Sequence, residues 1–196
     1  MPKATRDELG LVTTATAFVG MGGNLGDVLA AFVTTLRAMP ARELAVDAVS
    51  SAYRTAAVVA PGTSVSAPDY WNAVCRVRTP LSPRLLLAAL LDLETLLGRV
   101  RRERWASRTL DLDLLTYGDQ CIDEPQLIVP HPRIAERLFV LRPLAELAAT
   151  MPIPPGGSTV GELLARHSDI EAGIYERREH WADGHGLLCP GKTRDV

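Results

Sequence analysis

The order of strand and helix patterns along the chain is the feature that most restricts its fold. TATAFVGMGGNLGD is typical of a buried strand running into a glycine turn, and VLAAFVTTLRAM of an amphipathic helix. Next come two predicted strands, in ELAVDAVSSAYRT and YWNAVCRVRT. They are followed by a helix in SPRLLLAALLDLETLLG and a strand in TLDLDLLTYGD. This β-α-β-β-α-β order predicts an α+β, ferredoxin-like fold, a mostly antiparallel sheet covered by helices.

Capping residues mark the helix boundaries. Ser82 as N-cap, Pro83 at the first helical position and Gly98 after the end bound the second helix. A further helix in STVGELLARH has Thr159 in capping-box spacing with Glu162. ERLFVLRPLAELAA predicts a short strand or bend leading into a helix that begins near Pro143.

Two segments lie outside this pattern. AAVVAPGTSVSAP combines Pro, Gly and Ser without a helical period, so we expect a long loop and a candidate lid. From Ser168 onward the chain is polar, charged and without periodicity, which indicates an appendage rather than core.

Composition restricts the classes of function. At 196 residues and 47% hydrophobic content the chain can close one core, and a net charge of −2 provides no global basic field for nucleic acid. The three cysteines, at 75, 121 and 189, are widely spaced, which argues against disulfides and structural zinc and favours the reducing cytosol. Asp7 and Glu8 argue against a signal peptide, and Asp92 and Glu94 interrupt the most apolar run, so we expect neither export nor membrane insertion.

The stretch RTLDLDLL places two acids one residue apart in an apolar run. On a strand, Asp111 and Asp113 project from one face while the leucines between them point into the core. Close carboxylates repel unless cations neutralise them, and Mg²⁺ binds one or two carboxylates together with phosphate oxygens and water. The pair therefore indicates a magnesium–nucleotide site, although an exposed strand with solvated or arginine-bound acids gives the same pattern.

A cluster of arginines precedes these acids in GRVRRERWASR. Arginine binds phosphate oxygens bidentately and stabilises charge on a transferring phosphoryl group, so a basic loop beside an acidic strand suits magnesium triphosphate. A general preference for arginine on the surface explains the abundance of these residues but not their clustering. The cluster comprises Arg99, Arg101, Arg102, Arg104 and Arg108.

Three other motifs carry less information. GMGGNLG resembles a dinucleotide-binding loop, but repeated β-α units are missing, so we interpret it as a turn. GLLCPGKT satisfies the P-loop pattern only three residues before the chain ends, with no room for the helix that must follow. His131, between two prolines, decides nothing by itself.

Taken together, the motifs resemble those of the 6-hydroxymethyl-7,8-dihydropterin pyrophosphokinase family of folate biosynthesis. The resemblance runs from about residue 18 to about residue 164 and rests on GMGGNLGD, SAYRTAA, PDYWNAV, LETLLGRVRRERWASRTLDLDLL and VPHPRIAERLFVLRPL, in the family's order. It implies a pyrophosphokinase domain over residues 1–166 and a C-terminal extension of unknown role over 167–196. It also implies a cytoplasmic, monomeric enzyme without nucleic-acid or membrane partners.

The resemblance implies the roles of several side chains. The family transfers the pyrophosphoryl group of ATP to the pterin hydroxymethyl oxygen, releases AMP and uses two Mg²⁺ ions, which Asp111 and Asp113 would bind. Catalytic roles fall to Arg99, Arg101, Arg108 and the two aspartates. Contacts to ATP fall to Glu94, Arg101, Arg108, His131 and Arg137.

The resemblance also implies which residues bind the pterin. Tyr70 and Phe139 are similar to the family's two stacking rings, Asn72 with Thr55 would pair with the pyrimidine edge, and Trp105 would cap the closed site. Core filling would also explain either ring, whereas a buried asparagine in a strand needs polar partners.

Four positions depart from the family's pattern. Ala56 and the Ala106–Ser107 pair stand where the family has rigid loop residues, and Leu91 stands where it commonly has glutamine. The changes at Ala56 and at Ala106–Ser107 remove backbone rigidity from two functional loops.

Two other classes of function fit parts of the pattern. A ferredoxin-like RNA-binding module would use the arginines, but Asp111 and Asp113 would repel a phosphate backbone. A magnesium-dependent phosphotransferase with another acceptor is the second alternative.

Overall fold

The computed structural model describes residues 13–57, 68–96, 109–167 and 174–183. Its strands are β1 (Ala15–Gly23), β2 (Ala45–Val49), β3 (Ala52–Thr55), β4 (Tyr70–Thr79), β5 (Asp111–Tyr117), β6 (Ile122–Glu124), β7 (Leu127–Val129) and β8 (Ile174–Arg178). Its α-helices are α1 (Val28–Ala38), α2 (Pro83–Leu96), α3 (Leu138–Ala148) and α4 (Val160–Ala165). None of the described helices is long and apolar enough to cross a membrane.

Six strands form one antiparallel sheet. The order is β5-β1-β4-β3-β8, and β2 pairs with the second half of β4, while β6 and β7 form a separate hairpin. The predicted fold class is confirmed, and the order of elements as far as β5 differs from the predicted β-α-β-β-α-β order in one strand. One predicted strand, ELAVDAVSSAYRT, is divided into β2 and β3 at Ser50 and Ser51, because the Ser50 hydroxyl accepts the N–H of Val74 at 2.9 Å and interrupts the ladder.

The two faces of the sheet carry separate apolar clusters. The first lies under α1 and α2 and includes Phe32, Leu36, Leu86 and Leu90, all fully buried. The second lies under α3 and α4 and is built around Leu141, Leu144 and Val160, together with Phe18, Val74 and Leu115 from the sheet. Period-two alternation places the odd-numbered residues of β1 and β4 in the first cluster, so their even-numbered residues face α3.

Helix boundaries agree with the sequence in three cases. Asp27 caps α1 by accepting the N–H of Ala30 at 3.1 Å, α2 begins at Pro83, and the capping box of Thr159 and Glu162 is present. The predicted end at Gly98 lies outside the described residues, as do most of the candidate lid and the GLLCPGKT stretch.

The start predicted for α3 is wrong. The helix begins at Leu138, so Pro143 is its sixth residue and supplies no N–H to the carbonyl of Phe139. A proline inside a helix costs about 3 kcal/mol, but Val140, Leu141 and Leu144 bury the helix against the sheet. The burial of α3 against the sheet therefore outweighs the preference of Pro143 for the first turn of a helix.

The interpretation of GMGGNLG as a turn is also wrong for its first half. Gly20, Gly22 and Gly23 belong to β1, and only residues 24–27 form the turn into α1. A Cβ on Gly23 would lie 2.7 Å from the carbonyl oxygen of Thr109 and 2.9 Å from Val28, so close backbone contact requires glycine there.

The expectation of an appendage after Ser168 is wrong for residues 174–183. Strand β8 pairs with β3, Trp181 packs edge-to-face on Phe32 with ring centroids 5.7 Å apart, and Ala182 is fully buried. A polar strand can join the core sheet through the hydrogen bonds of its backbone, even when few of its side chains are buried.

We expect Gly23→Ala to lower the free energy of unfolding by about 1–3 kcal/mol, because the backbone of residue 109 has to move. Urea denaturation measures this change. Gly22→Ala is the matched control, since its Cβ would make only an ordinary contact at 3.6 Å and should change stability by less than about 1 kcal/mol. Equal losses of unfolding free energy in the two variants would contradict the close backbone contact at Gly23.

Candidate active site

A cleft of about 380 Å³ opens on the face of the sheet that is covered by α3. Its floor is made by Gly20 and Gly22, which face α3 and have no side chains. In the sheet register Gly22 pairs with Asn72 of β4 on one side and with Asp111 of β5 on the other. Adjacent strands lie about 4.8 Å apart, so the glycines separate the amide from the acid by roughly 10 Å of open floor.

The acidic end of the cleft is formed by β5. Asp111 and Asp113 both line it, while Leu112 and Leu114 are buried in the first apolar cluster, as the alternation predicts. The Asp113 side chain is 40% exposed, and its Oδ2 accepts a hydrogen bond from Nη1 of Arg137 at 3.4 Å. The guanidinium of Arg137 also lies over the Phe139 ring, 5.7 Å from its centroid, and so connects the acidic end to the apolar wall.

His131 is held beside the acids by its backbone. Its N–H donates to the carbonyl of Leu115 at 2.8 Å, and its Nδ1 accepts the N–H of Arg133 at 3.1 Å. In the neutral ring the proton is therefore on Nε2, which lies 4.0 Å from Asp113 Oδ2. Burial lowers the pKa of His131 below its usual value, with Arg137 and Arg133 adding to this and Asp113 opposing it, so His131 is a neutral donor beside Asp113 at neutral pH.

The opposite end of the cleft presents a buried amide. Asn72 is 8% exposed, and its Nδ2 donates to Oγ1 of Thr55 at 3.0 Å. Its Oδ1 lies toward Gly22, where a Cβ would come within 3.6 Å. Tyr70, at the start of β4, and Phe139, near the start of α3, supply aromatic side chains to the lining. This end combines stacking surfaces with amide-type hydrogen bonding.

Seven of the predicted site residues line this one cleft. They come from β3, β4, β5, the residue before α3, and α3 itself, and are Thr55, Tyr70, Asn72, Asp111, Asp113, Arg137 and Phe139. His131 lies next to them through Asp113. Arg99, Arg101, Trp105 and Arg108, together with Ala106 and Ser107, lie outside the described residues.

Glu94 occupies a different position from the other predicted residues. It is 2% exposed on α2, and its Oε1 accepts the backbone N–H of Leu112 at 2.7 Å. The carboxylate thus contacts β5 between the two aspartates, and Glu94 is not part of the cleft lining.

The sequence interpretation missed part of the lining. Arg133 reaches the cleft, and the glycines of β1 form its floor. A signal for Arg133 was present in VPHPRIAER, where it lies two residues after His131. The glycine floor had no comparable signal, because its purpose depends on the side chains of the neighbouring strands.

The fold and the cleft define a class: α+β proteins with an antiparallel sheet whose cleft has paired carboxylates and basic side chains at one end. Residues 18–149 match the model of the 7,8-dihydro-6-hydroxymethylpterin-pyrophosphokinase family, about two thirds of the chain. The chain belongs to that family, and the resemblance noted in the sequence is confirmed.

Individual relatives agree with this assignment. A 2-amino-4-hydroxy-6-hydroxymethyldihydropteridine pyrophosphokinase of Synechocystis sp. is 41% identical over 149 residues, covering 76% of this chain and 74% of the relative. The protein of that name from Methylorubrum extorquens is 40% identical over 153 residues, covering 76% of this chain and 92% of the relative.

A solved structure shows the same fold. A variant of Plasmodium falciparum HPPK-DHPS, crystallised with pterin and p-hydroxybenzoate, superposes with a TM-score of 0.62 at 12% identity. The match covers 80% of this chain and 44% of that one, so this chain spans less than half the length of the solved protein.

Proposed function

We propose that this chain transfers the pyrophosphoryl group of ATP to the hydroxymethyl oxygen of 6-hydroxymethyl-7,8-dihydropterin in folate biosynthesis, releasing AMP. The observation that carries the proposal is the cleft itself, with a carboxylate pair at one end, a buried amide at the other and a glycine floor between them. Membership of the family supports the same reaction.

The residues at the acidic end fit magnesium. Asp111 and Asp113 offer hard oxygen donors on one face, and basic side chains nearby suit the phosphates that complete the coordination of such an ion. We propose that they hold two Mg²⁺ ions together with ATP. The ions would neutralise charge on the transferred group and orient the phosphates.

Basic side chains at this end would bind the phosphates. Arg137 is planar and able to bind two phosphate oxygens, while His131 donates from Nε2 as a neutral group. Because the His131 ring is neutral, it can donate a hydrogen bond to a phosphate without adding a second cation, beside Arg137, to the magnesium site. Arg99, Arg101 and Arg108 remain proposed triphosphate ligands.

The amide end would orient the pterin. Asn72, fixed by Thr55, would pair with the amide-type pyrimidine edge, and Tyr70 and Phe139 would stack on the flat ring. The hydroxymethyl group would then lie toward the acids, where its oxygen loses its proton to solvent and bonds to the β-phosphorus as the bond from that phosphorus to the AMP oxygen breaks. Trp105 is proposed to cap the closed site and exclude water.

The nucleotide product tests the reaction class. With purified protein, Mg²⁺, ATP and the dihydropterin, we expect AMP to form only when the pterin is present. ADP formation would show transfer of one phosphoryl group, and AMP formation with no need for pterin would point to another acceptor.

Replacing Asn72 by alanine should raise the KM for the dihydropterin about tenfold or more, because each lost hydrogen bond costs about 1 kcal/mol and Thr55 loses its partner. The KM for ATP should change less than about threefold, since Asn72 lies at the far end of the floor. Steady-state kinetics with each substrate varied measures the difference.

Thr35→Ala is the matched control, because it removes a fully buried hydroxyl that bonds only within α1, to the carbonyl of Ala31 at 2.8 Å. A pterin KM that rises equally in both variants would mean that general loosening, not recognition, is responsible.

We also propose a monomer acting in the cytoplasm. Two of the three cysteines lie in the described residues and both are free thiols, Cys75 buried and Cys121 exposed, as a reducing compartment permits. Sedimentation at micromolar concentration tests the oligomeric state.

A further inference from the structure

We propose that the C-terminal strand β8, through Arg177, positions the pterin end of the cleft. Residues 174–178 lie beyond the segment that the family model matches, which ends at residue 149. The inference rests on the proposed function only in naming the ligand of that end. Its structural basis is one cluster of contacts joining β8, β3 and α3.

Strand β3 depends on β8 for half of its pairing. It pairs with β4 over only three residues, from Tyr53 to Thr55. On its other side it pairs with β8, which places Arg177 opposite Tyr53 and Ile174 opposite Thr55. Without β8, β3 would be a short edge strand that carries the Thr55 hydroxyl on which Asn72 is anchored.

Glu146 of α3 joins the three elements. The side chain is 13% exposed and accepts the N–H of Ser51 at 2.6 Å and the hydroxyl proton of Tyr53. Nη2 of Arg177 completes the set at 2.9 Å, and Nε of Arg177 donates to Oγ of Ser51 at 3.2 Å. Arg177 brings a guanidinium to this cluster from the C-terminal segment, and its Nη1 also pairs with Glu179 at 3.0 Å.

The cluster is connected to two elements that line the amide end of the cleft, α3 with Phe139 and β3 with Thr55. Glu146 lies two helical turns after Phe139, so its anchorage fixes the helix that brings this ring to the cleft. Tyr53 lies two residues before Thr55 on β3. Burial and the neighbouring Glu146 raise the pKa of Tyr53, which keeps its hydroxyl protonated as the donor. Removing Arg177 takes away the ion pair to Glu146 and the hydrogen bond to Ser51 that tie β8 to the cluster, and so loosens β3 and α3 together.

Three single variants of the full chain test the proposal. Arg177→Ala should raise the KM for the dihydropterin about tenfold with the ATP KM within about twofold, and Arg177→Lys should recover part of the loss because it restores the cation. Arg178→Ala is the matched control, since it lies on the same strand, bonds to Glu176 at 2.9 Å and covers Trp71 instead of Glu146.

Hydrogen exchange of the same variants separates the outcomes. In Arg177→Ala, amides of residues 52–55 should exchange about tenfold faster than in the wild type, and in Arg178→Ala they should not. Unchanged exchange, or faster exchange with an unchanged pterin KM, would overturn the inference. A wild-type protein that forms no pterin-dependent AMP would refute the proposed function, while the exchange data would still report on the cluster.

Discussion

Replacing Asp113 or Asp111 by alanine should lower kcat by about 10³-fold, because groups that hold charge at the transferring phosphoryl in a water-poor site typically contribute that much. Stability should change little. Asp113 is 40% exposed and its ion pair with Arg137 is 3.4 Å long, and such pairs contribute less than about 1 kcal/mol. Quenched-flow product analysis and urea denaturation measure the two quantities.

Asp119→Ala is the matched control for this loss. It removes an exposed carboxylate from the turn that follows β5, and kcat should stay within about twofold of the wild type. Chelation of divalent cations should stop the wild type. A variant that retains wild-type kcat at saturating Mg²⁺ would remove the acids from the mechanism.

Glu94→Ala should lower the free energy of unfolding by about 3 kcal/mol, since a buried hydrogen bond to a carboxyl group is worth about 1.5–3 kcal/mol and the truncation leaves a cavity. It should also lower kcat, because the N–H that Glu94 holds belongs to Leu112, between the two aspartates. Urea denaturation followed by kinetics on the folded variant measures both effects.

Glu94→Gln provides the comparison for this position. Its amide oxygen still accepts the N–H of Leu112, so most of the stability and of kcat should return. If the glutamine and alanine variants were equally stable, the contact to β5 would not explain the burial of Glu94. A rise in the ATP KM alone would instead restore a direct role at the nucleotide.

The acidic strand shows what a sequence can predict about this site. Period-two alternation is a property of one strand, so RTLDLDLL was sufficient to place Asp111 and Asp113 on one face and the leucines between them in the core. A capping box likewise depends only on residues three positions apart, so the sequence predicts that of α4 correctly.

Features that depend on other parts of the chain were not predictable in this way. The glycine floor is required by neighbouring strands, since Gly22 faces Asn72, and GMGG also has the composition of a turn. The start of α3 before Pro143 depends on burial against the sheet, which exceeds the cost of one proline. β8 is polar, and its place follows from backbone pairing with β3 and from the Glu146 cluster.

The destination of the two outer phosphates of ATP tests the central claim most directly. In a single turnover with Mg²⁺, dihydropterin and ATP labelled separately at the β- or γ-phosphate, both labels should appear in the pterin product in equal amounts, with unlabelled AMP. Label from the β-phosphate recovered in ADP, with only the γ-label on the pterin, would contradict pyrophosphoryl transfer and make this cleft that of a single-phosphoryl kinase.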